Sequence, residues 1–312
     1  MPNSRSPTLA VVVPATDWPP TLARCLEALS ASSEPPDELH VISDPPGLGP
    51  AAARNTGAAA SSSEIVAFVD ADVVVAPDAL ARVRAAFLAD SALGATFGSY
   101  DERPAAAGAV SRFRNLLHHH VHTRSAGPAQ TFWAGLGAVR RDAFEAVGGF
   151  DAERFERPAV EDIDLGMRLY GAGEHIVLDP RIRGTHLKRW SLVSMVTTDF
   201  ARRGIPWVRL QLEDGRISSS LNLTWRSRLS ALAALSVATA TAARRPPAAV
   251  ASAVALVALD PSFFALLKRR GGVALAALGL PLLIVHHLTA ALAAVVGAAA
   301  HVLGRDRRSS SR

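Results

Sequence analysis

The sequence predicts an α/β protein: a mostly parallel sheet covered by helices, followed by a C-terminal region of transmembrane helices. Three observations predict it. Over residues 9–70, short runs rich in Val and Ile alternate with helical patterns across brief Pro/Gly connections, the rhythm of parallel strand–helix units. One run, Ile65-Val66-Ala67-Phe68-Val69, is apolar throughout and stops at Asp70-Ala71-Asp72, as a strand buried on both faces and ending at a ligand edge would. Beyond about residue 226 the chain becomes Ala, Leu and Val broken by arginine clusters.

In order, Leu9 to Val13 reads as a buried strand, ended by Pro14-Ala15-Thr16-Asp17. Pro19-Pro20 opens a helix with Leu22, Leu26 and Leu29 on one face. Leu39 to Ile42 is a second strand, closing at Ser43-Asp44 and a Pro/Gly turn. Ala51 to Ala60 is helical with Arg54 and Asn55 in its first turns, and the run to Asp70 is the third strand. Pro77 starts a helix carrying Leu80, Val83 and Phe87, and Ala95 to Tyr100 is a strand. Residues 101–130 show no clear period. Within them His118 and His122 have the spacing of zinc ligands on a helix face, but no acid or cysteine partner lies close in sequence, and a basic, partly apolar loop near an acceptor or bilayer is the favoured reading.

Phe132 to Val139 is expected as a strand and Arg140 to Val147 as a short helix ended by Gly148-Gly149. A loop then delivers Glu161-Asp162 to the start of a helix, where acids also serve as ordinary dipole partners. His175 to Leu178 is a short strand, and Ser191 to Arg203 an amphipathic helix. Apolar stretches at 229–243, 248–267 and 273–303 are expected to supply two or three spans, each needing roughly 20 residues. Residues 191–228 are the interfacial linker between domain and spans, and 304–312 a disordered polar tail.

Composition sets limits. The net charge is +5 and the pI near 10.2, with arginine concentrated beside the apolar runs, which points to a membrane surface and not to nucleic acid. One cysteine, Cys25, excludes an internal disulfide and reads as buried filler. Five apolar residues before Pro14 are too few for a signal peptide. The expected location is therefore the inner (cytoplasmic) membrane, multi-pass, with the globular domain in the cytoplasm.

Two acids at the end of a buried strand are costly to desolvate unless a cation or donors answer them, and hard oxygen ligands there suit Mg²⁺ or Mn²⁺ shared with a phosphate. The plain alternative is a turn whose acids only solvate the strand end. The ordered set Val11-Val12-Val13-Pro14, Ala53-Arg54-Asn55-Thr56-Gly57, Asp70-Ala71-Asp72, Val147-Gly148-Gly149-Phe150-Asp151 and Glu161-Asp162-Ile163-Asp164-Leu165 resembles the family 2 glycosyltransferases, with their GT-A nucleotide-diphospho-sugar-binding fold, over about residues 8–190. The resemblance implies a metal-dependent enzyme that transfers sugar from a nucleotide-diphospho-sugar, UDP-linked by preference, to a lipid or glycan hydroxyl. It implies that Pro14, Thr16, Asp17 and Asp44 cradle the nucleoside and that Arg54 sits near the base or diphosphate. By the same resemblance Asp70 would face the ribose, Asp72 and His186 would hold the cation, Asp162 would be the base, and Glu161 beside it would be a further substrate-binding residue. The separation of arginine and tryptophan in Arg202-Arg203-Gly204-Ile205-Pro206-Trp207 departs from the processive members' motif and implies transfer of a single sugar.

Two other readings compete. Val69-Asp70-Ala71-Asp72-Val73-Val74 fits the nucleophile motif of haloacid-dehalogenase-like phosphatases, but those enzymes put it on the first strand and need a lysine before the later acids. Here the only lysines, Lys188 and Lys268, follow Asp162. A non-catalytic membrane scaffold would be expected to have lost one of the acids, and none is lost.

Overall fold

The structure, a computed structural model, describes residues 6–215 and 224–309. Part of the expected linker and the last residues of the expected tail therefore lie outside the described residues. The chain divides into two compact units, Met1–Ala106 with Val121–Lys188, and Ala107–His120 with Arg189–Arg312.

The first unit is built on an eight-stranded sheet ordered β2-β1-β3-β7-β5-β8-β4, with β6 added beside β8. Its strands are β1 (Leu9–Pro14), β2 (Glu38–Ile42), β3 (Ile65–Val69), β4 (Val73–Val75), β5 (Leu93–Tyr100), β6 (Gly127–Pro128), β7 (Leu136–Arg140) and β8 (His175–His186). β1 lies parallel to both β2 and β3, so the carboxyl ends that carry Pro14 and Asp70 share one edge. The sheet is mixed, because β7 runs antiparallel to both β3 and β5. Val69 pairs with Leu136, so β7 starts where β3 stops. That is why the expected strand from Phe132 begins only at Leu136: the residues before it form the wall of the site. β8 extends to His186, well past the expected Leu178, and its end pairs with β4 through Val73 and His186.

Helices α1 (Leu22–Ser30), α2 (Pro50–Ala60), α3 (Ala79–Ala89), α5 (Arg141–Ala146) and α6 (Glu161–Gly171) belong to this unit. Pro50 opens α2, where a missing N–H costs nothing. α6 carries Glu161, Asp162 and Asp164 in its first turn, as a helix N-terminus favours. A side chain at Gly166 would meet the Phe132 backbone nitrogen at 2.1 Å, so α6 packs directly on the chain that leads into β7. Phe68, fully buried, meets Phe144 and Phe150 at 5.6 and 5.1 Å between ring centroids; truncating such a ring typically costs about 3–5 kcal/mol.

Residues 101–130, aperiodic in sequence, contain α4 (Ala109–Arg124), whose first part to His120 lies in the second unit. His122 donates Nδ1–H to the Gly98 carbonyl at 2.9 Å and packs edge-on against Phe97 and Trp133. Among the described residues no group of three or more His, Cys, Asp or Glu could hold a metal ion alone. The zinc reading of His118 and His122 has no support here.

The second unit continues with α7 (Leu192–Thr197), a seven-residue π-helical segment (Thr198–Gly204), α8 (Ile205–Asp214), α9 (Trp225–Ala242), α10 (Pro246–Leu259) and α11 (Pro261–Ser309). Asp199, in the π segment, accepts both Arg114 amino groups and lies 2.9 Å from His286 Nδ1. Phe113 of α4 packs against Phe263 at 5.6 Å. Among the described residues one helix, Pro261–Leu303, is long and apolar enough to cross a membrane. It is broken at Gly272, whose φ of 71° and ψ of −176° leave the helical region. The expected span 248–267 is not one helix, because α10 ends at Leu259 and Asp260-Pro261 starts the next. The helix runs on to Ser309, where a disordered tail was expected from residue 304.

Candidate active site

The site is assembled around Ala134 and Gly135, the two residues just before β7. The Asp70 amide donates to the Gly135 carbonyl at 3.1 Å, and the Ala134 amide donates to Asp162 Oδ2 at 3.3 Å. The end of β3 and the head of α6 are thus tied to consecutive residues. A second link runs deeper. Arg54 of α2 donates one amino group to Asp70 Oδ1 at 2.8 Å and the other to Glu161 Oε1 at 2.9 Å.

These contacts sort the expected residues. Asp162 stands at the opening of α6, partly exposed, with its second oxygen on the Ile163 amide. Glu161 and Arg54 are each only 5% exposed, and Glu161 also accepts the Ala159 amide. They act as an internal brace, and Arg54 cannot reach a base or diphosphate without breaking two ion pairs. The two carboxylates outweigh the cost of burial and hold the Arg54 guanidinium even more firmly protonated than usual. Asp70 keeps one oxygen for other partners. Its burial is the largest influence and pushes its pKa up, the Arg54 charge opposes that, and the Asp72 charge adds to it.

Asp72 faces His186 from the next turn. Asp72 Oδ2 is 3.4 Å from His186 Nε2, and the Asp72 carbonyl accepts the Leu187 amide at 2.8 Å. Burial opposes ionisation of Asp72, yet His186 and then Lys188 outweigh it and hold the carboxyl below its usual value. One carboxylate and one imidazole fit a cation that takes its other ligands from a diphosphate and water, as Mg²⁺ and Mn²⁺ do, and not an all-protein cage. The His186 ring lies flat on Tyr100, 4.2 Å between centroids and 9° from parallel, and Tyr100 meets Trp133 edge-on at 4.9 Å.

At the other end of the same sheet edge, Thr16 donates its hydroxyl to the Leu48 carbonyl at 2.6 Å, fastening the turn after β1 to the loop after β2. Pro14 is partly exposed, Asp17 and Asp44 are exposed, and Ser43 donates to Asp44 at 3.2 Å. Cys25 lies beneath the site with Sγ 3.7 Å from the Asp70 carbonyl. Burial, then the charges of Asp70 and Asp72, push its thiol up to about 12, so it is inert filler, as expected.

Two supporting residues were not expected. Asn55 donates to the Phe150 carbonyl at 2.8 Å and accepts the Phe150 amide at 2.9 Å, clamping the Gly148-Gly149-Phe150 loop to α2. Its place beside Arg54 in the run quoted above was the one signal available. Tyr100 carried none beyond its position at a strand end.

Comparison with known proteins bears on the fold and the family. Residues 31–148 match the family model described as glycosyl transferase family 2. A probable glycosyltransferase of Bacillus subtilis (strain 168), YdaM, is 28% identical over 153 residues, covering 45% of this chain. The chain spans 34% of that relative's length. Among solved structures, the mannosyltransferase PcManGT from Pyrobaculum calidifontis, in complex with GDP-Man and Mn²⁺, aligns with a TM-score of 0.54 at 18% identity, covering 94% of this chain and 88% of that one. The sheet order and these matches lead to one conclusion: the chain has the GT-A fold, and its residues 31–148 are similar to the family 2 glycosyltransferases.

Proposed function

We propose that the protein moves a single sugar from a nucleotide-diphospho-sugar, UDP-linked by preference, to an acceptor hydroxyl on a lipid or glycan, inverting the anomeric centre in one displacement. The observation that carries this reading is the shared anchoring of Asp70 and Asp162 on Gly135 and Ala134. It puts a donor-side carboxylate and a candidate base on one short wall.

In this reading the turn around Thr16 and Asp44 holds the nucleoside. Asp72 and His186 hold a divalent cation, which when bound neutralises charge on the leaving diphosphate. Asp162 accepts the proton of the acceptor hydroxyl. An alcohol is a poor nucleophile near pH 7, and such help is worth roughly 10²–10⁴ in rate. Arg54 and Glu161 fix the distance between the two halves of the site, and Tyr100 fixes the plane of the His186 ring. The helices from Trp225 onward hold the enzyme at the cytoplasmic face of a membrane, as a multi-pass protein. A screen of UDP-, GDP- and dTDP-sugars for thermal stabilisation tests the donor class. One of them with Mn²⁺ raises the Tm, and Asp72→Ala abolishes the gain. Equal stabilisation in EDTA contradicts the metal-assisted reading.

A further inference from the structure

Lysine is rare in this chain: of 33 Lys and Arg residues only Lys188 and Lys268 are lysine. One of the two falls directly after the strand end that the site uses. β8 brings it there by consecutive contacts. His186 pairs in register with Val73, its Nε2 is 3.4 Å from Asp72 Oδ2, and the Leu187 amide donates to the Asp72 carbonyl at 2.8 Å. Lys188 is the next residue, and it is exposed.

We propose that Lys188 binds the donor's diphosphate and stabilises the negative charge that gathers on it as the sugar departs. The inference rests on the nucleotide-sugar reading above and adds a binding residue to it. In the step concerned, the bond between the anomeric carbon and the diphosphate oxygen breaks, and both electrons stay with that oxygen. The acceptor oxygen bonds to the anomeric carbon, and its proton passes to Asp162. Lys188 neither gives nor takes a proton. Its part is electrostatic, and it grows as charge accumulates on the leaving oxygens. An ammonium is a compact point charge on a flexible stem, whereas a guanidinium is a rigid planar fork. A lysine in a chain that otherwise uses arginine suits a group that follows a moving phosphate.

The scarcity of lysine supplies the test. The full chain is treated with an amine-acylating reagent, with and without UDP and Mn²⁺ (or whichever nucleoside diphosphate raises the Tm), and labelling of the two lysines is followed by mass spectrometry. Lys268, in the second unit, is the internal reference. At a nucleotide concentration about tenfold above its Kd, labelling of Lys188 is expected to slow roughly tenfold while that of Lys268 is unchanged. Lys188→Met should transfer sugar about 10²-fold more slowly at saturating donor with an unaltered Tm, and Lys188→Arg should recover much of the rate. If a nucleotide that stabilises the fold leaves Lys188 as reactive as before, this inference is overturned and the nucleotide-sugar reading stands. If no nucleoside diphosphate binds at all, both fall.

Discussion

Arg54 holds two carboxylates on one guanidinium, and they lie 16 and 107 residues away in sequence. Removing it would leave Glu161, 5% exposed, as an uncompensated buried charge. Breaking a buried pair from one side costs about 3–5 kcal/mol. Arg54→Met should therefore lower the Tm by on the order of 10 °C, and adding Glu161→Met should restore part of that loss. A melting curve for Arg54→Met that matches wild type would show that the brace does not bear on the fold. At this scale the sequence showed which residue types meet, since Arg54, Asp70, Asp72 and the Glu161-Asp162 pair are all visible in it. Which of them are buried against each other was not visible, because burial of Arg54 and Glu161 depends on partners far along the chain.

The elements tell a similar story for different reasons. β1, α1, β2, α2 and β3 follow each other with short connections, and their apolar periods mark them within a residue or two. α4 escaped detection because its buried positions include Asn115, His120 and His122 beside Phe113 and Leu116, which dilutes any apolar stripe. β8 runs through Asp179-Pro180-Arg181 and Gly184, residues that ordinarily end a strand. The direction of β7 was out of reach, since alternation of strands and helices says nothing about a strand paired from the far side. One element contact is open to titration. Glu38, at the start of β2, accepts the Ser63 hydroxyl at 2.6 Å and the Ser62 amide at 3.1 Å, so it holds the approach to β3. The Ser63 bond leads, against the cost of burial, and with help from His40 and Ser62 brings the Glu38 pKa down to about 2. A carboxyl whose pKa is depressed on folding contributes its stability above its unfolded value and loses it as pH falls through the folded one. The stability that Glu38 contributes should thus be present above about pH 4.5 and gone near pH 2. The wild-type Tm should fall more steeply over that window than that of Glu38→Gln, and parallel curves would refute the assignment.

For the molecule as a whole, composition divided the chain near residue 226, whereas the structure gives residues 107–120 and everything from Arg189 to the second unit. The boundary was not legible because α4 begins in one unit and ends in the other. The long apolar helix and the exposed Leu232, Leu235, Val250, Val254, Val273 and Val295 predict that the full chain stays with membranes after a carbonate wash. Recovery in the soluble fraction would contradict the proposed anchoring. The central claim concerns chemistry: a donor site on Asp70 and Asp72 and a separate base on Asp162, joined through Ala134 and Gly135. Asp162→Asn preserves shape and can still accept the Ala134 amide, but it cannot take a proton. The most direct measurement is product formation by Asp162→Asn at saturating donor and Mn²⁺, alongside donor binding by the same variant. The account predicts near-normal binding with transfer at least about 10²-fold slower; transfer at the wild-type rate would place the base elsewhere.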